Sequence, residues 1–113
     1  MTLTDEKIFE KAMTLRNGKH YKKALNIFHS LEDKLPKFSP LYGMIATCYY
    51  ETEDYIKSAK YFKKTVRLNP KSELASLGLF QSLRFTGKTK SAFLEMDRYL
   101  TENEAELYKV TIS

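Results

Sequence analysis

The chain has 113 residues, of which 42% are hydrophobic and 29% charged, and it carries a formal net charge of +5. That balance fits one soluble domain over residues 1–113 with a continuous core, and it excludes a disordered chain. No apolar run approaches the roughly 18 residues of a membrane span, and the single cysteine, Cys48, excludes an internal disulfide framework.

The opening stretch, Met1-Thr2-Leu3-Thr4-Asp5-Glu6-Lys7, turns acidic at once instead of running basic and then apolar as an export signal does. With the lone thiol, this sets the expectation of a protein of the reducing cytoplasm. The modest positive charge favours an acidic partner kinetically, whether protein or nucleic acid.

In chain order, apolar residues of helical period predict helices over about 5–17, 20–34, 39–52, 54–68, 72–86 and 88–101, with a short one near 104–111. Within 54–68, Tyr55, Ala59, Phe62 and Val66 recur at steps of three and four, which puts them on one stripe with lysines opposite. Pro40 suits a first helical turn, and Asn69-Pro70 suits a stop between helices. The last helix, with Ala105, Leu107, Tyr108 and Val110, is too short to hold alone. It is expected to order by packing on Phe93, Met96 and Leu100, and to leave the C-terminal face incompletely covered, open to self-association or to a partner.

The elements repeat. "NGKHYKKALNIFHSLEDKLP" ends at Pro36, and "TEDYIKSAKYFKKTVRLNP" ends at Pro70, 34 residues further on. At that shift Tyr21 meets Tyr55, Ala24 meets Ser58, Phe28 meets Phe62 and Leu31 meets Thr65. Upstream, Ile8 meets Tyr42, Ala12 meets Ala46 and Leu15 meets Tyr49. A second shift brings Ser76, Phe80, Leu83, Ala92, Met96 and Tyr99 into the same positions.

These residues resemble the tetratricopeptide (TPR) repeat, a pattern of an opening aromatic, Leu-Gly, Tyr, then Ala, Phe and a closing Pro. The middle copy matches best, through Tyr42, Ile45-Ala46, Tyr49, Asp54-Tyr55, Ser58, Phe62 and Pro70; Lys11 and Glu104 depart from the pattern in the other two. The resemblance implies an all-α, right-handed solenoid of three helix-turn-helix repeats, at about 5–38, 39–72 and 73–104, closed by a capping helix near 104–111. One helix pair cannot bury its own apolar face, so stacking the pairs makes the core.

The stretch "RFTGKTKSA" at 84–92 contains the Gly-Lys-Thr that closes a phosphate-binding P-loop. Such a loop needs a glycine where this chain has Ser82, and a preceding strand where it has the helix of Leu77, Phe80 and Leu83. Shifted by two repeats, the stretch overlays "RNGKHYKKA", so Gly87 marks a turn between helices and no nucleotide is expected.

No constellation for catalysis or metal binding emerges, and no cofactor is expected. His20 and His29 are nine residues apart and read as solvated surface groups. Cys48 reads as a buried, inert thiol. The carboxylates Asp5-Glu6, Glu51, Glu53-Asp54, Glu102, Glu104 and Glu106 fall mostly at helix starts rather than as an acid–base pair. The chain reads as a non-enzyme.

In the TPR family the first helix of each repeat lines a concave groove that binds peptides or proteins. Carried over, the groove residues are Phe9, Met13 and Arg16; Gly43, Met44, Thr47 and Tyr50; and Leu74, Leu77, Gln81 and Arg84. The positions matching the carboxylate clamp of some family members are Phe9, Met13, Met44, Leu74 and Gly78, none of which donates a side-chain hydrogen bond. An apolar groove with methionines and aromatics suits an amphipathic helix or loop instead. A second candidate surface is the basic outer face of Lys57, Lys60, Lys63 and Lys64, extended by Lys19, Lys22 and Lys23.

The expected function is binding a protein partner in the groove. The most specific reading, from the likeness of the third repeat to proteins encoded beside secreted toxins, is a toxin-neutralising immunity protein. Alternatives are an assembly or secretion chaperone for a client subunit and, in a different class, a basic helical protein associated with nucleic acid.

Overall fold

A computed structural model describes residues 1–112, which form seven α-helices: α1 (Leu3–Asn17), α2 (Tyr21–Ser30), α3 (Ser39–Glu51), α4 (Tyr55–Leu68), α5 (Glu73–Phe85), α6 (Thr89–Glu102) and α7 (Leu107–Ile112). Shifting α3 by 34 residues gives α5, and the same shift takes α4 to α6. The chain is three stacked helix pairs with a short helix at the end.

The turn inside each pair is the same object three times. The amide of His20 donates to the carbonyl of Leu15, that of Asp54 to Tyr49 and that of Lys88 to Leu83, each a six-to-one Schellman bond. The residue before each donor lies in the left-handed region: Lys19 at φ 65°, Glu53 at 62° and Gly87 at 80°. Gly87 therefore sits where its missing Cβ relieves strain, and the Gly-Lys-Thr stretch runs from the turn at Gly87 through the N-cap Lys88 into α6 at Thr89. Gly18 falls one position short of that role, and Lys19 carries the strained conformation instead.

Other boundaries follow local chemistry. α1 begins at Leu3 because Thr2 and Asp5 form a reciprocal capping box, with bonds of 3.1 Å each way. Those bonds, the backbone one foremost, hold the Asp5 carboxyl below its usual range. Asp54 and Ser72 cap α4 and α5, and Pro40 occupies the first turn of α3. α2 is shorter than the predicted 20–34. After Ser30 the amides of Leu31, Glu32 and Lys34 bond three residues back, tightening the chain into turns while Leu31 and Leu35 enter the core.

The core is three linked clusters. The first gathers Phe28, Leu31, Leu41, Tyr42 and Ile45, the second packs Ala46, Phe62, Val66, Ala75 and Leu79, and the third holds Phe80, Ala92, Tyr99, Ala105 and Tyr108. The third repeat swaps sizes: Tyr42 and Ala46 become Ser76 and Phe80, all four buried. Tyr108 of α7 packs edge-on against Phe80 at 5.8 Å, and its hydroxyl meets Ser76 Oγ at 2.8 Å.

That docking differs from the expected one. α7 packs on α5 through Phe80 and on Tyr99, with Met96 alongside, whereas Phe93 and Leu100 stay 43% and 36% exposed. Glu73, 35 residues before Tyr108, accepts the amides of Glu106 (3.0 Å) and Tyr108 (2.9 Å), so a carboxylate of α5 caps the start of α7. Burial pushes the Glu73 carboxyl up, but these backbone bonds outweigh it and hold the group below its usual range.

Candidate functional site

α3 and α5, the first helices of their pairs, flank a furrow with Phe62 of α4 as its floor. It has two lobes, of about 190 and 270 Å³, that share Thr47, Phe62 and Leu74. Gly43, Met44 and Thr65 line the first; Tyr50, Leu77, Gly78 and Gln81 line the second. The furrow exists because of one glycine: a Cβ on Gly78 would lie 2.5 Å from the Phe62 ring, so only hydrogen lets that ring reach under α5. Gly43 is not constrained in this way, its nearest neighbour being Thr65 at 3.7 Å.

Of the sequence-derived groove residues, Met44, Thr47, Tyr50, Leu77 and Gln81 come together here, with Leu74 two-thirds exposed at the lip. Phe9 does not. It is buried, edge-on to Phe28 at 5.6 Å and to Phe38 at 5.4 Å, because α1 turns that side of its surface into the first core cluster. Met13 packs against the same cluster. Arg16 is half-buried; its guanidinium reaches Asn17 at 3.1 Å, and its Nε is enclosed with no hydrogen-bond partner. Arg84 lies past the end of the furrow, over the Phe80 ring at 5.5 Å.

The basic outer face is more structured than a solvated lysine stripe. Lys64 Nζ sits 4.2 Å from the centre of the Tyr42 ring, Lys57 lies 5.4 Å from Tyr49 and Lys60 lies 5.6 Å from Tyr61. The rings beneath form a seam between α2 and α4, with Tyr61 stacked on Tyr49 at 5.9 Å and on Tyr42 at 6.5 Å.

His29 belongs to that seam, contrary to the expected solvated histidine. Its Nδ1 is 2.8 Å from Glu32 Oε2, its Nε2 is 2.8 Å from the Tyr49 hydroxyl, and its ring packs on Tyr61. Helical spacing from Phe28 placed it outside, but the rings of Tyr49 from α3 and Tyr61 from α4 cover it. Burial, reinforced by Glu32, pushes the Tyr61 hydroxyl up to about 12. His20 is exposed.

Cys48 is fully buried, and burial pushes its thiol up to about 11, outweighing the pull of Arg16, so it holds no reactive thiolate at neutral pH. Ser82, where a P-loop would need glycine, is buried and paired with Ser58 through a 2.8 Å hydroxyl bond. Among the described residues no group of three or more His, Cys, Asp and Glu could hold a metal, and no helix is long and apolar enough to cross a membrane.

Sequence reasoning missed Glu73 and Glu95. Glu95 accepts from Ser76 at 2.6 Å and from Arg98 at 2.9 and 2.7 Å, tying α6 to α5 beneath Tyr108. The hydrogen bond to Glu95 is what raises the Arg98 guanidinium above its usual value. The signal for this network was the appearance of serine at 76, where the second repeat carries a tyrosine.

No protein-family model matches the chain. Its fold is the TPR-type helical repeat, as three solved structures show. A complex of CopN with Scc3 has a chain that superposes with a TM-score of 0.87 at 16% identity, over 98% of this chain and 66% of that one. A mutant of MamA gives 0.80 at 12% identity, covering 92% and 76% of the two chains. The second TPR of Spaghetti (RPAP3), bound to an HSP90 peptide, gives 0.79 at 14%, covering 88% and 92%.

Proposed function

We propose that this chain is a non-enzymatic binding module that holds a segment of a partner protein in the furrow between α3 and α5. The observation that carries the reading is the furrow itself, an open channel with an apolar Phe62 floor, an exposed Leu74 lip and the polar edge of Thr47 and Gln81. Such a channel suits an amphipathic helix or loop that buries apolar anchors and leaves its polar side outward. The carboxylate-clamp positions remain without donors, so a free C-terminal carboxylate is not what this groove reads. Two similar structures are of domains with company, one with an HSP90 peptide and one in the CopN–Scc3 complex, which supports a protein partner here.

A toxin held by its neutralising partner and a client held by its chaperone would both occupy this groove. Recovering the partner from the cells that make the protein, and identifying it by mass spectrometry, separates them. Leu74→Glu together with Tyr50→Glu should then weaken the recovered complex by about 2 kcal/mol or more, since aromatic and aliphatic anchors dominate such interfaces. An unaltered affinity in this double variant would refute the groove as the site.

A further inference from the structure

On the opposite side of the molecule, α4 and α6 flank a second cleft, of about 630 Å³, whose floor is Leu79 and Leu83 of α5. Its lips are Ile56, 76% exposed, and Leu94, 60% exposed. Its equivalent one repeat earlier, between α2 and α4, is closed. There Tyr49 stands where the cleft has Leu83, Tyr61 where it has Glu95 and His29 where it has Lys63. Those three rings pack within 6 Å of one another, and lysines lie across two of them. Substituting aliphatic and charged side chains for the rings leaves the later cleft open.

Its rim is one-sided in charge. Lys60, Lys63 and Lys88 surround the apolar floor, and no ion pair forms to any of them among the described residues. The only carboxylate in the lining, Glu95, is consumed by Arg98 and Ser76. The floor and lips are aliphatic, with no ring on which a nucleic-acid base could stack.

We propose that the α4/α6 cleft is a second docking site, separate from the α3/α5 furrow, that takes an acidic amphipathic helix from a partner protein. Apolar residues of that helix, spaced at i, i+3 and i+4, fill the space between Ile56 and Leu94 above Leu83. Carboxylates flanking them meet Lys60, Lys63 and Lys88. A helix laid between two helices satisfies its interior backbone hydrogen bonds within itself and leaves only its ends to solvent, which an extended segment could not do here because the cleft offers no strand edge.

The test uses a displayed library of peptides about 16 residues long, about 24 Å as a helix, panned on the full chain. Enriched peptides are then titrated against variants of exposed residues. The expected outcome is an enriched family rich in Asp and Glu with apolar residues at helical spacing. Its affinity should fall at least about tenfold, a loss typical of removing interfacial charge or apolar anchors, in both Lys63→Glu/Lys88→Glu and Ile56→Glu/Leu94→Glu. It should be unchanged in the groove variant Leu74→Glu, at a lip residue that is two-thirds exposed. Loss of binding only in the groove variant would overturn the cleft while leaving the groove reading intact. Three other results would also overturn it: no enriched peptide sensitive to the cleft variants, cleft-dependent peptides without acidic residues, or displacement by single-stranded oligonucleotide with the Ile56→Glu/Leu94→Glu pair inert. Self-association of the chain that Lys63→Glu/Lys88→Glu abolishes would assign the cleft to a second copy instead.

Discussion

The two seams on the outer side of this solenoid occupy equivalent places one repeat apart, yet one is sealed and the other open. Between α2 and α4 the rings of His29, Tyr49 and Tyr61 close the space, and Tyr42 stacks beneath. Between α4 and α6 the same positions hold Lys63, Leu83 and Glu95, and a cleft remains. The backbone repeat is therefore a frame, set by three identical turns. Side-chain size at a few positions decides whether a seam is core or surface. The third repeat compensates from elsewhere: where the second closes on Tyr42, the third has Ser76 and borrows Tyr108 from α7.

The sharpest way to break this comparison is to truncate the equivalent pair. Tyr42→Ala removes a fully buried, stacked ring and should cost about 3–5 kcal/mol in denaturant unfolding. Ser76→Ala removes only the hydroxyl shared by Glu95 and Tyr108 and should cost about 1–3 kcal/mol. Equal losses would mean that the two seams are built alike after all.

The two furrow glycines give the next contrast. Gly78→Ala drives a methyl into the Phe62 ring and should destabilise by about 1–3 kcal/mol. Gly43→Ala meets only an ordinary contact and should stabilise the helix by about 0.5–1 kcal/mol. Thermal unfolding of both variants decides it, and matching shifts would remove Phe62 as the furrow's organising ring.

Titration should separate the two ends of the chain. Glu73 has a depressed pKa, so its stabilisation of α7 is present above the ordinary carboxylate range and is lost as pH falls through the folded value. The amides of Glu106 and Tyr108 should accordingly lose hydrogen-exchange protection in acid before those of α4 do. At the alkaline end the sign reverses. The hydroxyls of Tyr61 and Tyr108, pushed up to about 12 by burial, stabilise fully below their ordinary value of 10 and cease to do so as pH rises towards 12. Near-ultraviolet ellipticity should therefore report loosening of both the aromatic seam and the C-terminal face.

The smallest expected effect lies in the turns. Lys19→Gly and Glu53→Gly relieve left-handed strain and should each stabilise by up to about 1 kcal/mol, whereas Gly87→Ala should destabilise by about 1 kcal/mol. A loss in the first two variants would mean that the side chains at 19 and 53 contribute more than their strain costs.

Much of this architecture was legible from residue spacing, because the repeat fixes both helical period and turn position. Helices α3 to α6 lie within a residue or two of their predicted spans, and Met44, Thr47, Tyr50, Leu77 and Gln81 do share a face. What spacing could not show is which neighbour covers a face. Phe9 has the period of a groove residue, but Phe28 and Phe38 meet it from other elements. His29 has the period of a surface residue, but Tyr49 and Tyr61 of later helices enclose it. Glu73 lies in the first turn of α5, and its role depends on a chain segment over thirty positions away, which spacing does not reveal. The one readable warning was the exchange of Tyr42 and Ala46 for Ser76 and Phe80, which marks the third repeat as packed differently.

The central claim is that the furrow between α3 and α5 holds the partner, and methyl-resolved NMR tests it most directly. Titrating the recovered partner, or the segment of it that binds, into labelled protein should perturb Met44, Leu74 and Leu77 together, with Thr47 between them, at stoichiometric saturation. Saturable binding that leaves all four unperturbed would contradict the account.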